Sequence, residues 1–238
     1  MKRFEIKNII AITAILLNSC VAYYPQVVDI PLIKGKGDLR INAGIFLAPD
    51  FYGNFDTQVF ENKEEVKVWP GVFGEHVTVS CGLTDILSIQ GYTSVDFASR
   101  FHLQGALGAY HAFENKTVIE IYSGCGYGNG YIATRDDYYL PFSQFNIGKT
   151  GIGESRIDYG LGLKGGYLFC NFDNWAGQEI VHKKDGWIIE PSVFFRIGAK
   201  RVKYCIMANY LWTKTINDGY YFPLSVGMGV NLHFGKVQ

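Results

Sequence analysis

Residues 187–198 read WIIEPSVFFRIG, and the side chains change character at almost every step. Ile189, Val193, Phe195 and Ile197 fall on one face of an extended chain, and Glu190, Ser192 and Arg196 fall on the other. Successive side chains of a strand point to opposite sides, so a period of two separates an apolar face from a polar one. The same period runs through FHLQGALGAYHAF (101–113), IDYGLGLKGGYLF (157–169) and YFPLSVGMGVNLHF (221–234). No stretch of useful length follows the 3.6-residue period of a helix. Ten alternating segments are predicted, near 38–48, 73–82, 86–95, 101–112, 117–127, 140–148, 155–169, 187–198, 201–213 and 221–234.

The connections between these segments alternate in length. After the second, fourth and eighth they are tight (LTD, ENK, AK), and KTGIGE follows the sixth. Residues 49–72, 128–139 and 170–186 are long, and polar or aromatic. Short turns at one end and long loops at the other are the pattern of a transmembrane barrel, whose strands need only ~10 residues to cross. The fold class expected is therefore all-β: a closed antiparallel up-and-down transmembrane β-barrel of about ten strands over residues 38–235. Phe101, Phe113, Tyr127, Trp187, Trp212, Tyr221 and Phe234 stand near segment ends, where an interfacial aromatic girdle belongs.

Composition supports a surface that does not meet water. Aromatic residues are 16% and charged residues 18% of the chain, against about 25% charged in soluble domains. The minor face of the alternation is Gly, Ser, Gln and Asn, too poor in Lys and Glu for the outside of a soluble sandwich or lipocalin-like barrel. The charges on that face, Arg40, Glu120, Asp158, Lys164, Glu190, Arg196 and Lys203, are expected to pair inside a lumen. Eight strands are just wide enough for side chains to fill a barrel, and ten add little room. A salt-bridged interior is expected, with a narrow ion or small-solute path as the alternative. Lys+Arg and Asp+Glu are 22 each, so no global field draws in nucleic acid.

Residues 1–19 read as an export signal. Lys2, Arg3 and Lys7 precede an apolar run from Ile9 to Leu17, too short to span a bilayer, which takes ~20 residues. Leu17-Asn18-Ser19-Cys20 resembles the lipobox of bacterial lipoprotein signals. That resemblance implies cleavage before Cys20, lipidation of Cys20, and residues 20–37 as an N-terminal tether. With the lipobox, the runs CVAYYPQVVDIPLI and KGKGDLRINAG, VTVSCGLTDILSIQGY and HLQGALGAYHAF resemble uncharacterised outer-membrane β-barrel lipoproteins of Gram-negative anaerobes. More broadly the chain resembles the small OmpA-type barrels. The resemblance implies a cell-envelope protein in the outer membrane, both termini periplasmic, and brings no assigned activity.

The sequence offers little for catalysis. Omptin-type proteases place carboxylates and a His at the outer rim, and Asp50, Asp56, Asp96, Asp136, Asp137, Asp173, Asp185 and His182 belong to that end. No motif of that group is matched, and a hydrolase at the extracellular rim is the lesser alternative. His111 is expected on the lipid face at the periplasmic end, His102 has no identifiable Ser partner, and His233 is expected to face the lumen near the periplasmic mouth. Cys81, Cys125, Cys170 and Cys205 show no CxxC spacing and no His at metal-ligand spacing. No enzyme activity, cofactor or metal is expected. Phe51, Tyr52, Trp69, Tyr138, Tyr139 and Trp175 in the outer loops suit contact with a surface ligand, a glycan or a host protein. Outer-membrane lipid is the remaining partner, and a structural or surface-interaction role is the function expected.

Overall fold

The computed structural model describes residues 28–48, 72–96, 101–129, 137–152, 156–171, 186–213 and 224–235. Its strands, in chain order, are β1 (Leu39–Ala48), β2 (Val72–Gly82), β3 (Leu87–Asp96), β4 (Phe101–Ala112), β5 (Thr117–Asn129) and β6 (Asp137–Ile152), then β7 (Ile157–Asn171), β8 (Gly186–Gly198), β9 (Val202–Tyr210), β10 (Trp212–Thr213) and β11 (Leu224–Phe234). Consecutive strands pair antiparallel from β1 to β9, β11 pairs with both β9 and β1, and the sheet has no free edge. The two residues of β10 prolong β9 past Leu211 along the same neighbour, β8. The result is a closed up-and-down barrel of ten staves. Closure satisfies every backbone ladder internally, which a sheet in hydrocarbon requires.

The face assignment is inverted relative to a soluble barrel. Outward positions carry Leu103, Leu107, Leu161, Val193, Ile206 and Met228, all more than one-third exposed. Inward positions carry Asn42, Thr78, Gln104, Glu120, Asn146, Asp158, Lys164 and Arg196, all buried. Strands β3 and β4 alternate exposed and buried with almost no interruption. Ten strands of 10–16 residues, with β10 counted into β9, match the expected segments to within a few residues. The largest difference is β6, whose pairing runs on through Lys149 and Ile152 across a register shift. That shift absorbs the Lys-Thr-Gly stretch read above as turn.

Large rings point inward opposite glycines. Phe46 stands in register between Gly74 and Gly227, and Phe142 between Gly124 and Gly166. Tyr122 faces Gly108, Tyr138 faces Gly128, and Phe194 faces Gly160. Where such a ring lies flat along the wall over the next strand, a residue without Cβ leaves it space. The three atoms nearest a Cβ on Gly128 would all belong to the Tyr138 side chain, at colliding distance.

The two rims differ. Gly82 to Leu87, Ala112 to Thr117 and Gly198 to Val202 are tight connections on one rim, and β1 begins and β11 ends there. The opposite rim holds the connections 49–71, 97–100, 130–136, 172–185 and 214–223, which lie outside the described residues, as do 1–27.

Candidate functional site

Among the described residues the lumen gathers buried polar and charged side chains, and the segment Val28–Ile33 lies in it. Val28, Asp29, Ile30, Leu32 and Ile33 are all buried, although they precede the barrel and were read in the sequence as a tether. The segment leaves the lumen at the short-turn rim, reverses at Gly35–Gly37, and enters β1. Gly37 takes φ +76° there and donates its N–H to the Gly82 carbonyl at 2.7 Å. Ile30 and Leu32 join Phe46, Tyr92, Val118, Phe194 and Met207 in an apolar cluster inside the barrel. Leu32 has φ +55°, in the left-handed region, a conformation that costs ~1–3 kcal/mol and persists only when its surroundings hold it.

Asp29 marks the axis. Its carboxylate accepts from Asn42 Nδ2 of β1 at 3.0 Å and from Arg196 Nη2 of β8 at 2.7 Å. Its carbonyl accepts from Gln90 Nε2 of β3 and Gln144 Nε2 of β6, each at 3.2 Å. In a ring of ten staves β1 lies opposite β6, and β3 lies opposite β8. One residue therefore receives hydrogen bonds from four directions around the barrel, which only a residue at the centre can do. The lumen is filled at that level. Arg196 also donates to the Ile30 carbonyl at 2.7 Å and lies over the Phe194 ring at 4.4 Å.

All seven charged residues assigned to the lumen by alternation point inward and are buried. Lys164 Nζ lies 3.1 Å from Glu190, and Lys203 Nζ lies 2.6 Å from Asp158. Arg40 stands between Asp38 and Asp158, at 3.7 and 3.9 Å. Glu120 instead accepts the Ile33 backbone N–H at 2.7 Å and Asn146 Nδ2 at 3.1 Å. It therefore anchors the inserted segment and joins no strand-to-strand ion pair. Asp29 and Asp38 complete the set: Asp29 precedes the first predicted segment, and Asp38 stands at the head of it, on the face of Arg40. A charge count hinted at them: four bases on the inward face had only three acids.

At the short-turn rim, His233 Nε2 lies 2.6 Å from Asp38 Oδ1. Burial alone would raise the Asp38 carboxyl; the adjacent His233 and the Arg40 guanidinium outweigh it and hold it below the ordinary carboxylate range. In the other half of the lumen His102 contacts Gln104 and Tyr138, and Tyr92 lies edge-on to it at 5.7 Å. Tyr138 is thus an inward residue of β6, fully buried, and Tyr139 beside it is outward and half exposed. Phe51, Tyr52, Trp69, Trp175, His182 and Cys20 lie outside the described residues. His111 is outward against Phe113 at 4.5 Å. Among the described residues no group of three or more His, Cys, Asp or Glu could hold a metal ion. Cys81, Cys125 and Cys205 are free thiols.

A closed barrel with apolar side chains outside and a polar, charge-paired interior is the architecture of a transmembrane β-barrel. Among solved structures the chain is similar to the outer membrane protein OprG from Pseudomonas aeruginosa, at 12% identity and a TM-score of 0.37, over 87% of this chain and 99% of that one. No family model and no curated protein matches the chain.

Proposed function

We propose that the protein is a lipid-anchored outer-membrane β-barrel whose lumen is closed by its own N-terminal segment, and that its role is structural or surface-interacting. The observation that supports this best is Asp29 at the barrel axis, tied to β1, β3, β6 and β8. An open aqueous path needs a continuous gap, and here side chains from four directions meet on one backbone segment. The apolar outer face supports a bilayer-embedded barrel, and the resemblance of Leu17–Cys20 to a lipobox supports a second, lipid anchor at Cys20. Function then falls to the long connections, whose aromatic residues Phe51, Tyr52, Trp69 and Trp175 suit contact with a glycan or a protein on another surface.

Planar-bilayer recording of the refolded chain tests the closed lumen. No steady conductance is expected from the full chain. Removal of residues 28–34 should introduce openings. Steady openings in the full chain would replace the structural role with a narrow ion or small-solute channel. Metabolic palmitate labelling that is lost in Cys20→Ala tests the anchor, and a labelled Cys20→Ala chain would remove it from the proposal.

A further inference from the structure

The geometry points to the short-turn rim as a binding surface for the phosphate headgroups of anionic phospholipids, an inference that rests on the barrel being membrane-embedded. The charged residues of the lumen are partnered within it, but seven bases at this rim form no ion pair among the described residues. Lys116 follows β4, and Lys149 and Arg156 flank the β6–β7 turn; Lys200 and Arg201 form the β8–β9 turn. Lys34 and Lys36 join them from the reversal before β1. Asp38 and Asp158, also at this rim, are taken up by Arg40, Lys203 and His233, so the described acids left to face these seven are Asp85 and Glu114. None of the seven forms an ion pair among the described residues, and Lys116 Nζ donates only to the Gly151 carbonyl of the neighbouring turn.

The basic character belongs to this rim and not to the whole molecule. At the opposite rim the connecting segments 49–71, 97–100, 130–136, 172–185 and 214–223 carry seven Lys and Arg against ten Asp and Glu. The chain is neutral overall, so the excess of bases among the described residues of this rim is not a property of the whole sequence.

Position selects a lipid over a soluble anion. The basic turns sit directly below the last outward apolar residues of their strands. Phe113 is 44% exposed beside the β4–β5 turn; Ile197 and Val202, 43% and 46% exposed, bracket Lys200 and Arg201. Ile86 reaches 63% in the β2–β3 turn. An apolar band that ends in a ring of flexible cations is the profile of a bilayer boundary, where Lys and Arg stems lie along acyl chains and their heads meet phosphate. Four spread turns also match a lipid annulus better than one compact ligand.

The test uses the full chain refolded into phosphatidylcholine vesicles, with spin-labelled phosphatidylglycerol or spin-labelled phosphatidylcholine as the reporter. At low salt the motionally restricted fraction should favour phosphatidylglycerol about three- to tenfold, and the preference should shrink at high ionic strength. Combined Lys36→Gln, Lys149→Gln, Lys200→Gln and Arg201→Gln should bring it within about twofold of unity. Asp85→Asn with Glu114→Gln should raise it. Equal restriction of both lipids by the unmodified chain, or a preference that survives the four substitutions, would overturn the inference. So would loss of preference to millimolar glycerol phosphate at constant ionic strength, which would mark a soluble-anion site. Absence of any restricted component for either lipid would instead overturn the membrane reading on which the inference stands.

Discussion

Replacing Arg196 with Met should destabilise the barrel far more than a surface charge could. Arg196 and Asp29 are 0% and 4% exposed, and Nη2 stands 2.7 Å from the carboxylate and 2.7 Å from the Ile30 carbonyl. Met keeps roughly the bulk but leaves Asp29 with Asn42 as its side-chain partner. Removing one member of a buried pair costs about 3–5 kcal/mol, because the remaining charge is stranded. Asp29→Asn keeps a carbonyl oxygen for Asn42 and Arg196, so it should cost about 1.5–3 kcal/mol, the worth of a hydrogen bond to a charged group. The double variant strands no charge and should cost less than the sum of the two single variants by about 2 kcal/mol or more. Exposed pairs couple by only ~0.2–1 kcal/mol. Urea unfolding of the refolded chain in micelles reads this out through the emission of Trp187 and Trp212, which are 69% and 67% exposed on the outer face. Additivity of the two single costs within about 0.5 kcal/mol would refute the placement of Asp29 against Arg196.

The remaining expectations concern the rim, the wall and the inserted segment. Because the folded Asp38 carboxyl titrates below its ordinary 3.8, it contributes stability above the unfolded value, and that contribution is lost as pH falls through the folded one. An unfolding series across the acid range should show a shallower acid limb in Asp38→Asn, and an unchanged limb would contradict the assignment. Gly128→Ala forces the Tyr138 ring off the wall and should cost about 1–3 kcal/mol; Tyr138→Leu added to it should recover most of that loss. Leu32→Ala empties a fully buried site inside the lumen and should lower stability by about 2–5 kcal/mol, whereas a residue on a solvated tether would change it by less than about 0.5 kcal/mol.

Alternation by itself determined the strands, their number, which residues face the lumen, and which rim carries short turns. That follows from a local rule: a strand's two faces are read two residues apart, and WIIEPSVFFRIG states both faces within 12 residues. The inward position of Arg196, Glu190 and Lys164 was legible for the same reason. The fate of Val28–Ile33 was not. Its sequence, VDIPLI, has no strand period and reads equally well as a linker beyond a lipidated Cys20. What places it in the lumen are partners 87 residues away at Glu120 and 167 away at Arg196, which no local period can encode. Tyr138 was likewise assigned to a loop because β6 begins earlier than its alternation suggested, and only the register with Gly128 turns it inward. Closure of the ring decides these points. It sets β1 opposite β6 and β3 opposite β8, leaves a polar interior whose acids fall short, and so creates a central position that Asp29 fills.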